Sequence, residues 1–134
     1  MHWSNKYVQV PYKEKGRDLD GLDCWGLLRL IYSVELGVTL PSYIDQYEKV
    51  NRREVTEAIL KNRHEEWEEV TEPQEFDGVI LLVRNLPVHI GVVVDPDKKD
   101  FIHIVKDCHV CVENLTRKKW YNKVLGFMRH KSRA

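Results

Sequence analysis

Apolar residues recur at helical spacing in the first part of the chain and at strand spacing in the last. Cys24, Leu27, Leu28 and Ile31 lie three or four positions apart, which puts them on one face of an α-helix. Asp23 stands just before them as an N-cap and Gly37 follows as a stop. The pattern therefore predicts a helix over 24–36 with Cys24 in its first turn. Pro41 closes that region. Val55, Ala58 and Ile59, set among charged residues, predict a second helix over 52–66 with a solvated polar face. Residues 1–22 carry the turn formers Pro11, Gly16 and Gly21 and read as loop.

Beyond Pro73 the period changes. Val79-Ile80-Leu81-Leu82-Val83 is a continuous apolar run of strand length. Val88, Ile90, Val92 and Val94 alternate with His89, Gly91 and Val93, the mark of a strand with two distinct faces. Asp95-Pro96-Asp97 makes a turn. Phe101 to Val105 predicts a third strand, with Phe101, His103 and Val105 on one face. Val110-Cys111-Val112, running on to Glu113, predicts a fourth, and Lys123 to Met128 a last. Helices followed by hairpin-linked strands give an α+β order. At 134 residues the chain suits one domain over 1–134.

Charge narrows the function classes. Twenty-one basic residues balance twenty-one acidic ones, so the sustained basic field of a nucleic-acid binder is missing. The short basic runs Arg117-Lys118-Lys119 and His130-Lys131-Ser132-Arg133 read as solvated surface, as does the acidic cluster Glu65, Glu66, Glu68 and Glu69 around Trp67. No apolar run approaches the roughly 20 residues of a membrane span. Met1 to Lys6 does not open a signal peptide, so no membrane anchor is expected, and export would go by lysis or within a particle. Three cysteines are an odd number, which leaves room for a free thiol. Cys108 and Cys111 form a C-x-x-C without the second pair that a zinc site usually has, and they read as strand and turn residues. Neither a metal nor a cofactor is expected.

The chemistry centres on Cys24. A helix N-terminus presents unpaired N–H groups and partial positive charge, which favour the nucleophilic thiolate and can stabilise an oxyanion. A thiolate that cleaves amides needs a base able to return a proton to the leaving amine. His89 is the candidate. It shares a strand face with Gly91, whose missing side chain leaves room for the cysteine helix to approach. His103, on the next strand, is placed to orient the His89 ring. Taken singly, each residue also has a plainer reading: an inert core cysteine, a structural histidine, or two histidines joining Cys24 in a metal site.

Leu19-Asp20-Gly21-Leu22-Asp23-Cys24-Trp25-Gly26-Leu27-Leu28-Arg29 resembles the nucleophile segment of the NlpC/P60 peptidases. The Asp-Cys-Trp-Gly variant, with Leu36-Gly37-Val38-Thr39-Leu40-Pro41 after it, is similar to the phage tail assembly branch of that family. Phe76 to Leu81 resembles the strand before the base, Val88 to Val93 the strand that carries it, and Phe101-Ile102-His103 the strand with the third polar residue. Lys123 to Arg129 resembles the closing strand.

The resemblance implies a papain-like fold with the cysteine helix packed on an antiparallel sheet. It implies a cysteine peptidase acting on peptidoglycan stem peptides. Cys24 would be the nucleophile, His89 the base and His103 its orienter, with Tyr12 of a Pro-Tyr pair donating to substrate or oxyanion. Asp23 would hold a substrate amine as well as cap the helix. The implied partners are tail-tip or hub proteins, and the implied location is a virion tail, or the host cytoplasm during assembly. Two departures bear on the groove: Lys13-Glu14-Lys15-Gly16 has one glycine where a pair is common, and Asp77-Gly78 reverses the usual order. A structural tail-tip module on the same fold, or a papain-like amidase or acyltransferase, stand as alternatives.

Overall fold

The computed structural model describes residues 2–42, 66–83 and 86–133, the side chains of 86–88 excepted. The helix expected over 52–66 lies outside the described residues apart from Glu66. The 1–22 segment is more ordered than its turn formers suggest. It holds a 3-10 turn at Trp3–Lys6 and a small antiparallel ribbon, β1 (Arg17–Asp18) with β2 (Gly21–Leu22).

Helix α1 runs Cys24–Ile31 and continues as one turn of π-helix over Tyr32–Leu36, which together span the predicted 24–36. Asp23 caps it, its carboxylate accepting the Gly26 N–H. Gly37 ends it in the left-handed conformation at φ 66°, where a side chain would be strained. Trp25 Nε1 donates to the Pro41 carbonyl and Arg29 Nε to the Leu40 carbonyl, so the outgoing chain is pinned back along the helix.

The remaining strands are β3 (Trp67–Val70), β4 (Gly78–Val83), β5 (Leu86–Asp95), β6 (Asp100–His103), β7 (Cys111–Asn114) and β8 (Val124–His130). They form one antiparallel sheet in the order β3-β8-β4-β5-β6-β7. Five of the strands match the alternation and apolar runs of the sequence. Strand β3 does not: its charged residues conceal it. Glu68 and Glu69 are exposed, as expected of them, while Trp67 is buried against Tyr32 and His130.

The two sheet faces sort the core. Ile80, Ile90, Val92, Ile102 and Met128 join Leu27, Leu28 and Ile31 of α1 in one cluster. Val79, Leu81, Phe101, Leu115 and Trp120 form a second. This is the period-two alternation of strands buried on both sides. Asp77, fully buried at the entry to β4, accepts hydrogen bonds from the Gln74 N–H, Arg129 and Arg133. The reversed Asp77-Gly78 pair thus has a structural use. The carboxylate ties the start of β4 to the end of β8, and Gly78 sits between Leu28, Ile90 and Met128.

Candidate active site

Cys24 is the first residue of α1, buried, and set in the turn whose N–H groups have no intrahelical partner. The sequence explains how that turn is held. Asp23 Oδ1 accepts from the Gly26 N–H at 2.7 Å and from Arg17 Nη1 at 2.7 Å. Arg17 also donates to the carbonyls of Gly16 and Ser42. The Asp23 carboxylate is therefore engaged in capping and in an ion pair that is itself largely buried. Gly26 is required because a Cβ there would fall 2.0 Å from the Gly16 carbonyl oxygen. The glycine of Asp-Cys-Trp-Gly is thus the point where the helix meets the 16–17 backbone.

Tyr12 comes from a separate segment that runs beside the residues before α1. Its backbone bridges Leu22, two residues before Cys24, and its N–H donates to the Cys108 carbonyl. The ring packs against the same core cluster as Cys24, and the hydroxyl oxygen is buried.

His89 lies on β5, the strand against which α1 packs. Its surroundings differ from expectation in one respect. The face it shares with Gly91 takes the Phe101 ring, 2.9 Å from where a Gly91 side chain would begin, and not the cysteine helix. The helix rests on the alternate residues of β5, Ile90 and Val92. Room at Gly91 is used to seat an aromatic ring beside the histidines.

His89 and His103 do come together. His89 Nε2 and His103 Nδ1 are 2.7 Å apart, and both side chains are fully buried. The chain of contacts then continues to a residue that pattern reading missed. His103 Nε2 is 2.5 Å from Glu113 Oε2 on β7. Trp120 completes the enclosure. It stacks on His89 at 5.9 Å, meets His103 edge-on at 5.2 Å, and donates its indole N–H to Glu113. The signal for Glu113 was its place two residues from Cys111, which pairs with His103 across the β6–β7 ladder. That register is not readable from one sequence. Trp120 follows a charged run and gave no signal at all.

Burial pushes the His103 pKa down, and this outweighs the upward pull of the Glu113 hydrogen bond and charge. Burial alone would raise Glu113, but the His103 hydrogen bond and charge, with the Trp120 bond, hold it below the usual carboxylate value. The contact is accordingly a neutral imidazole donating to a carboxylate. Proton positions follow. A carboxylate only accepts, so His103 Nε2 bears the proton and its Nδ1 accepts from His89 Nε2–H. The lone pair of His89 is then on Nδ1, also a buried atom. That is the tautomer a general base needs.

Among the described residues, the group able to offer three metal-ligand atoms within 4.8 Å of one another is His103, Cys111 and Glu113; it does not include Cys24. None of Cys24, Cys108 and Cys111 is paired in a disulfide.

Residues 9–129 match the family model described as the NlpC/P60 family. Similar solved structures include the NlpC/p60 domain of peptidoglycan hydrolase SagA, with TM-score 0.62, 17% identity, and coverage of 93% of this chain and 90% of that one. Another is a protein from Staphylococcus aureus subsp. aureus Mu50, described as similar to lipoprotein, NLP/P60 family, with TM-score 0.65, 17% identity, and coverage of 94% and 38%. A third is an NlpC/P60 family protein from Bacillus cereus ATCC 10987, with TM-score 0.69, 16% identity, and coverage of 95% and 37%. The chain thus spans less than two fifths of the last two. At these identities the likeness establishes the fold, a papain-like one. No curated protein matches the chain.

Proposed function

Because the chain belongs to the NlpC/P60 family, we propose that it is a cysteine peptidase that hydrolyses stem-peptide bonds of peptidoglycan. The observation that carries the reading is the buried His89–His103–Glu113 series on the sheet that supports the Cys24 helix. A scaffold has no need to bury two imidazoles and orient their protons with a carboxylate. A base does.

In this reading Cys24 passes its proton to His89 Nδ1 and attacks the scissile carbonyl carbon. The oxyanion is met by the N-terminal N–H groups of α1 and the Tyr12 hydroxyl. As the tetrahedral intermediate collapses, His89 gives the proton to the leaving amine, and an acyl-thioester remains. Water, deprotonated by His89, then releases the acid and restores the thiol. His103 accepts from His89 Nε2–H throughout, and Glu113 fixes the His103 tautomer that makes this possible. Asp23 acts by holding the first turn of α1, and holding a substrate amine is the second role proposed for it. No step calls for a metal.

The setting we propose is a phage tail, where local opening of the wall would precede genome entry, with tail-tip or hub proteins as partners. The support is the Asp23-Cys24-Trp25-Gly26 variant and the Leu36 to Pro41 segment. The peptidase is tested with defined muropeptides followed by mass spectrometry. The wild type is expected to yield new fragments, and Cys24→Ala, folded, none. Equal cleavage by both proteins would remove Cys24 as nucleophile. No cleavage by either would favour a structural tail module.

A further inference from the structure

We propose that His103, Cys111 and Glu113 form a site for a zinc-type divalent cation, and that filling it switches off the base. The first half stands on the cluster alone; the second rests on the peptidase reading above.

The three side chains offer one nitrogen, one sulfur and one carboxylate oxygen within 4.8 Å of one another, from the adjacent strands β6 and β7. A mixed N, S, O set suits zinc, with bonds of roughly 2.0–2.3 Å. Glu113 and Cys111 are partly exposed, so an ion has a way in and the carboxylate has room to turn. The surrounding contacts are those a metal site can use once the His103 proton sits on Nδ1. A ligating histidine donates its other ring N–H to a fixed acceptor, and a ligating carboxylate is itself oriented. His89 Nε2 stands 2.7 Å from His103 Nδ1, and Trp120 Nε1 donates to Glu113. This also gives Cys111, half of the otherwise unexplained C-x-x-C, a chemical role.

The consequence follows from counting protons. Without metal, His103 carries its proton on Nε2 and His89 on Nε2, leaving the His89 Nδ1 lone pair for the thiol. A cation on His103 Nε2 takes that lone pair, so the His103 proton must sit on Nδ1 and donate to His89 Nε2. The His89 proton is thereby moved to Nδ1, the atom that has to accept from Cys24. Each imidazole keeps one proton, Cys111 loses one to solvent, and the base is inverted without the metal touching the catalytic thiol.

The test titrates Cys24→Ala with Co2+ as a spectroscopic stand-in. One equivalent should produce a thiolate-to-cobalt charge-transfer band, present also in Cys108→Ser and absent in Cys111→Ser. Separately, Zn2+ should lower wild-type muropeptide cleavage by about a hundredfold, the usual contribution of a general base, and Cys111→Ser should escape that loss. No band in Cys24→Ala, or a band that persists in Cys111→Ser, overturns the site. A band with undiminished cleavage in Zn2+ overturns the switch. If neither protein cleaves muropeptides at all, the peptidase reading fails while the band still decides the site.

Discussion

At the scale of single residues, the site is a line of proton donors and acceptors in which each member sets the next. Glu113 decides which His103 nitrogen carries a proton, His103 decides the same for His89, and the proposed role of His89 Nδ1 as base depends on both. Glu113→Ala leaves a buried His103 N–H and the Trp120 indole N–H without this acceptor. A hydrogen bond to a charged group contributes roughly 1.5–3 kcal/mol, so kcat for muropeptide cleavage should fall about 10- to 100-fold at about 1.4 kcal/mol per decade. His103→Ala should also reduce kcat without abolishing it, with KM little changed. An unchanged rate in both variants would reduce the pair to a structural role. Cys24, His89 and His103 were legible because reactive residue types stood at interpretable places in a helix and two strands. Glu113 was not, because a strand glutamate is ordinarily solvated and only the β6–β7 register puts this one under a histidine.

At the scale of elements, α1 combines a cap, a close approach and a stop. Asp23, Gly26 and Gly37 each do one of these, and the first two bear directly on the thiol. Gly26→Ala pushes a methyl group onto the Gly16 carbonyl. Overpacking of this kind costs about 1–3 kcal/mol, and here the group in the way is backbone, so the helix start has to move. A lowered midpoint in urea unfolding is expected, with a loss of kcat larger than the stability change accounts for, since the first turn carries Cys24. A variant that is destabilised but fully active when folded would separate packing from catalysis. The helix was readable from the spacing of Leu27, Leu28 and Ile31. The role of Gly26 depends on residue 16 lying beneath it, and ten positions of chain separate the two. Strand β3 was hidden for a related reason: its outward glutamates follow the acidic run before it, and Trp67 alone marks the buried side.

At the scale of the whole molecule, stability is expected to respond to acid. His103 titrates near 6.5 when exposed and lower in the fold, because burial disfavours its cation. His130 is shifted the same way, also by burial. As pH falls through 6.5 the unfolded chain takes up these protons first, so stability is full above that pH and declines below it. Glu113, held below its ordinary 4.5, adds a further loss as pH falls past 4.5. Melting temperatures measured from pH 7.5 to 5 should therefore fall, and His103→Asn should flatten the slope. A rise on acidification would mean that His103 is a cation paired with Glu113.

The amino-acid sequence by itself determined the α+β order, the helix over 24–36 and most of the strands, and it singled out Cys24, His89 and His103 as candidates. All of these rest on local periods and on residue chemistry, which need no knowledge of neighbours. The tertiary structure decided what lies against what. It set the strand order, the Phe101 ring in the space at Gly91, Trp120 over the histidines, and Glu113 and Cys111 beside His103. Those contacts depend on the register between strands and on the side of the sheet each residue faces, and one sequence encodes them only through the packing of the whole chain.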